Sequence, residues 1–153
     1  MGCYMSNFLN RALSPKREPD GSFVMALPHS PDTAGPYVDP PSDIGKFLEA
    51  LEKLGGGKKL FGVGDMRTCA EFMRVWSETV GVKGRFKEIT REEFIAEVAK
   101  VNEGLAREVA DSRGFNAEFG WNGGKGDVFM PKDVSLFSPK SFIFMAVAIS
   151  RGG

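Results

Sequence analysis

Histidine is almost absent from this chain: His29 is its single copy among 153 residues. Nucleophilic triads depend on a histidine base, so a Ser-His-Asp reading would rest wholly on it. His29 lies in a proline-rich stretch with no partner in view, and an exposed loop position is expected for it. Cysteine is scarce too. Cys3 and Cys69 are the only two, too few and too far apart for a secreted disulfide framework or a zinc site. A reducing, intracellular setting is expected, cytoplasmic with a nuclear alternative. Neither sign of charge is in excess, since 20 basic residues meet 20 acidic ones. Such a balance does not steer a chain to nucleic acid or to an acidic membrane. Long apolar runs are also missing. The longest, residues 142–149, has eight residues, where a bilayer crossing needs about 20. No basic-then-apolar leader opens the sequence.

What is there points to a folded domain. The length suits one domain with a sizeable core. Thirteen phenylalanines argue for real burial, while 19 glycines and nine prolines imply many turns. Residues 1–12 suggest a short helix with Tyr4, Phe8 and Leu9 on one side, and residues 13–21 a polar turn. Residues 22–27 suggest a strand. Residues 28–41 hold five prolines, which predicts an extended loop without regular pairing. Ser42 can cap a helix whose apolar face carries Ile44, Phe47, Leu48, Leu51 and Leu54, closed by Gly55. Residues 59–63 suggest a strand. Thr68 and Glu71 form a T-x-x-E capping box for a helix burying Phe72, Val75, Trp76 and Val80 and ending at Gly81. Residues 85–89 alternate like a strand. Thr90 and Glu93 form a second capping box, opening a helical stretch with Phe94, Val98, Val101, Leu105 and Val109 aligned and Gly104 as a point of bending or splitting. This alternation predicts an α/β layer, whose two strands in that region need company from elsewhere.

Candidate sites are few. The triple glycine Gly55-Gly56-Gly57 follows a helix and precedes a strand, the reverse of a dinucleotide fingerprint. Gly62-x-Gly64 follows a strand, but Arg67 stands where a third glycine belongs; turn roles are the simpler reading of both. Neither Tyr4 nor Tyr37 has a lysine four residues on, so the Tyr-x-x-x-Lys pair of common short-chain reductases is not present. The charges at Arg91-Glu92-Glu93 and Arg107-Glu108 suggest solvated helix faces. Met1-Gly2-x-x-x-Ser6 matches a myristoylation pattern, with Cys3 placed for a second acyl chain. The same residues also suit an internal segment of a larger fold.

Several strings occur together in order: Gly2-Cys3-Tyr4-Met5-Ser6-Asn7-Phe8; Pro36-Tyr37-Val38-Asp39 with Ser42-Asp43-Ile44-Gly45-Lys46-Phe47; Glu71-Phe72 to Trp76-Ser77 with Val80-Gly81-Val82; Ala117-Glu118-Phe119-Gly120; and Pro131-Lys132-Asp133. Over about residues 2–134 the set resembles the second half of NmrA-like proteins, atypical relatives of the short-chain dehydrogenases/reductases. The resemblance implies the C-terminal part of an NAD(P)-binding Rossmann-like α/β fold over residues 1–134, a truncated sheet covered by helices. It implies NAD(P) for the full-length family and none for this chain alone, because the glycine-rich loop would lie in the other half. It implies either an oxidoreductase-like or a dinucleotide-sensing regulatory protein, probed against a second reading as a non-enzymatic module that pairs with a full-length relative. No catalytic or metal residue carries over. Tyr4 and Asn7 are the substrate-cleft candidates, the substrate itself being unspecified. Exposed sheet edges are expected to take a protein partner or a second copy. Residues 135–153 depart from the family's ending and form an apolar tail of unassigned role.

Overall fold

The computed structural model describes residues 3–9, 13–124 and 126–134. It is a mixed α/β structure in which two small sheets are joined by helices. Cys3–Tyr4 (β1) leads into a 3-10 turn, Met5–Leu9, where a helix was expected. Lys16–Arg17 (β2) interrupts the polar turn, and Phe23–Leu27 (β3) follows close to its expected bounds. Ala34–Val38 (β4) forms inside the proline-rich stretch, so that stretch does pair regularly. Pro36 is tolerated because β1 matches only Tyr37 and Val38, one residue further on.

The first long helix, Pro40–Leu54 (α1), starts earlier than Ser42, with Asp39 at its N-cap and prolines in its first turn. Proline at that position wastes no hydrogen bond, since those N–H groups lack helical partners anyway. Residues 59–63 contribute only an isolated bridge between Leu60 and Phe129. The strand of this region is Asp65–Thr68 (β5). Cys69–Val80 (α2) opens on the expected capping box and ends at Gly81, whose φ of 75° is the left-handed conformation glycine permits. Gly84–Glu88 (β6) follows. The long helical stretch divides into Arg91–Ala99 (α3) and Glu103–Phe119 (α4). The break falls before Gly104, at Asn102, whose side chain accepts the Leu105 N–H. Re-phasing at this break leaves Val101 and Leu105 exposed while Phe94 and Val98 stay buried.

One sheet has the order β1-β4-β5, with β1 parallel and β5 antiparallel to β4; the other has the order β2-β3-β6, with β3 parallel to β6. One core joins them. Phe8, Tyr37 and Phe72 pack ring against ring, with centroids 4.6 to 5.8 Å apart. Trp76 meets Phe23 edge-on at 5.2 Å. Met25, Leu27, Phe94, Ala106 and Ala110 complete the interior. Helix α1 behaves differently. It buries Asp43, Phe47 and Ala50, while Ile44, Leu48 and Leu51 of the expected apolar face lie exposed.

Candidate functional site

A cleft opens where the loop after β3, strand β4 and helix α4 meet; it is largely open to solvent, with enclosed room for about one water molecule. Each wall has a sequence reason. Helix α4 turns its small residues Ala106 and Ala110 to the core. Continuing that stripe by three or four residues brings Arg113, and then Asn116, to the same side. Both line the cleft, with Trp121 beyond the helix end. Strand β4 supplies Ala34, Gly35 and Tyr37, the preceding loop His29 and Thr33, and β1 and α2 the two thiols, Cys3 and Cys69. Gly35 lies close under Tyr37: a Cβ there would sit 3.3 Å from its ring.

His29 is a correction to the exposed loop position expected of it, for it is only 7% exposed. It stacks on Phe86 at 5.8 Å, and its Nδ1 lies 3.1 Å from the Ser30 carbonyl. A carbonyl only accepts, so Nδ1 carries the proton and the other ring nitrogen is left as the acceptor in the neutral form. Burial holds the His29 pKa below its ordinary value. Burial pushes the Tyr37 phenol far upward and raises the Cys69 thiol as well. The hydroxyl of Tyr37 and the sulfur of Cys69 are 3.8 Å apart. At neutral pH this cleft is therefore lined by an uncharged imidazole, a phenol and a thiol. Such groups donate or accept hydrogen bonds. They do not supply a thiolate nucleophile. The Arg113 charge acts on His29, Tyr37 and Cys69 alike, and among the described residues no carboxylate is paired with it in an ion pair.

Of the two residues anticipated at a cleft, Tyr4 is half-buried in β1 and Asn7 is exposed on the 3-10 turn. Successive strand residues face opposite sides, so Tyr4 points away from the side that Cys3 presents to the cleft. The Asn7 amide lies 3.9 Å from the Cys3 sulfur. Arg113, Asn116 and Trp121 were not anticipated. The available signal was a cationic residue continuing a stripe of small, core-facing alanines.

A pyrophosphate needs close backbone approach and open N–H groups at a helix start. The capping boxes of Thr68 and Thr90 take up the Glu71 and Glu93 N–H groups at the starts of α2 and α3, and α1 begins with two prolines. The space over Gly62 is taken by the Phe47 ring, and that over Gly64 by the buried Asp43 carboxylate, which would repel a phosphate. Among the described residues no group of three or more His, Cys, Asp or Glu side chains could hold a metal ion. No described helix is long and apolar enough to cross a membrane. Gly2, the residue a myristoyl group would need, lies outside the described residues, and Cys3 is buried.

Two small sheets joined by helices define a mixed α/β fold of Rossmann-like kind. The chain belongs to the NmrA-like family, whose pattern matches residues 1–139. It is 30% identical over 93 residues to the nitrogen metabolite repression protein nmr of Neurospora crassa, covering 56% of this chain and 19% of that protein. Among solved structures it resembles NmrA, a negative transcriptional regulator, in complex with NAD, with a TM-score of 0.58 and 17% identity. The NmrA complex with NADP gives the same values. Each likeness covers 99% of this chain and 47% of the other; it is a likeness of fold. The chain thus spans about half the length of these structures and a fifth of the curated relative.

Proposed function

We propose that this chain is the substrate- and partner-side portion of an NAD(P)-linked regulatory protein of the NmrA-like family, without a cofactor loop of its own. The observation that carries this reading is the near-complete alignment of the chain onto less than half of a dinucleotide-binding regulator. Two features support it. Gly62 and Gly64, one of the two glycine groups that might have cradled phosphate, are packed against α1. The cleft offers hydrogen-bonding groups and one cation, which suits recognition of a small polar ligand. Tyr4 and Asn7 remain candidates for the cleft side of the complete fold. The test is calorimetric titration of the purified chain with NADPH and with NADH. No saturable heat is expected from either. Tight capture of one dinucleotide per chain would overturn the reading.

A second reading is favoured by a separate observation. Ile44, Leu48 and Leu51 form an uncovered apolar stripe on α1, and the outer edge of each small sheet ends without a further strand among the described residues. Here the chain is a non-enzymatic module that pairs with a full-length relative. Co-purification with such a relative, gained or lost on adding NADPH, distinguishes this role from the first.

A further inference from the structure

We propose that the cleft between β4 and α4 is a binding site for a small carboxylate, held by Arg113. The inference rests on the reading of this chain as the substrate side of its fold, and names the chemical class that side would take.

The charge count sets the class. Arg113 lines the cleft without a paired carboxylate among the described residues, and one guanidinium balances one negative charge. Its planar fork matches the two oxygens of a carboxylate. A phosphate ester, carrying close to two charges at neutral pH, would call for a second cation, and the described lining offers none. The remaining groups suit the same ligand. Asn116 and Thr33 add donors, while the Tyr37 hydroxyl and the Cys69 sulfur, 3.8 Å apart, are hydrogen-bonded to each other. His29, neutral and buried, brings no negative charge to oppose an anion. The Trp121 ring and Ala34 give an apolar wall for the carbon part of the ligand.

The test is a nitrogen–proton NMR titration of the full chain with sodium acetate, with sodium chloride and inorganic phosphate in parallel and no dinucleotide present. The chain has two tryptophans, and Trp76, deep in the core, serves as the internal control for Trp121. Saturable shifts of the Trp121 indole and the Asn116 side-chain amide with acetate, at least tenfold weaker in Arg113→Met and partly restored in Arg113→Lys, are the expected result. Asn116→Leu provides a second variant, expected to weaken acetate at least threefold should Arg113→Met not fold. The proposal is overturned if acetate does not saturate, if chloride or phosphate binds as well as acetate, or if the variants bind it unchanged. Because no dinucleotide enters this experiment, its failure leaves the NADPH titration standing as a separate result.

Discussion

At the scale of single residues, the positions that matter most are those where atoms leave no slack. A Cβ on Gly64 would meet the Asp43 Oδ2 at 2.2 Å, and Asp43 is 1% exposed and accepts the Asp39 N–H. Gly64→Ala is therefore expected to cost about 1–3 kcal/mol, the usual range for overpacking a tight site, read as a lower urea midpoint. His29 gives a prediction in pH. Its pKa is lowered in the folded state by burial, so the unfolded chain binds its proton first as pH falls. Stability from this residue is full above its unfolded pKa, near 6.5, and drains away as pH drops toward the folded value. Urea midpoints should fall between pH 7.5 and 5.5 in the wild type and fall less in His29→Gln. Nothing local in the sequence signals this burial, because the aromatic shelf for His29 is Phe86, far along the chain on β6. Arg113 likewise carries no local signal of its own, because its place in the cleft depends on the alanine stripe beside it facing the core.

At the scale of elements, legibility followed the locality of the cause. Both T-x-x-E capping boxes are closed reciprocally, as at Thr90, whose hydroxyl accepts the Glu93 N–H while Glu93 accepts the Thr90 N–H. Residues three apart suffice to create that signal. Thr90→Ala should cost about 0.5–2 kcal/mol, measurable by thermal or urea unfolding, with little change at the cleft. The strands were harder to read. Strand β4 contains a proline, and β5 has the sequence Asp65-Met66-Arg67-Thr68, with no apolar run. Their pairing partners come from distant segments, and only pairing makes them strands. Burial on α1 was misjudged for a related reason. Its apolar stripe has the spacing of a core face, yet the core takes Phe47, Ala50 and a carboxylate instead.

At the scale of the whole molecule, the uncovered stripe dominates. Leu48 is 62% exposed between Ile44 and Leu51, and the Phe115 and Phe119 rings pack tilted, with centroids 5.0 Å apart, on the outer side of α4 while about half exposed. Apolar surface gathered this way drives association. Sedimentation of the purified chain should show a weight-average mass that rises with concentration, and Leu48→Glu should lower it. A sharp, concentration-independent monomer would contradict both the prediction and the partner role. The parallel match of β3 with β6 has its own consequence. Val24 stands beside Arg85, so about 60 residues must be spooled out before that ladder can close. On a ribosome adding about 5–20 residues each second, Phe23–Leu27 waits several seconds in the open, a window in which chaperones or a nascent neighbour can reach it first.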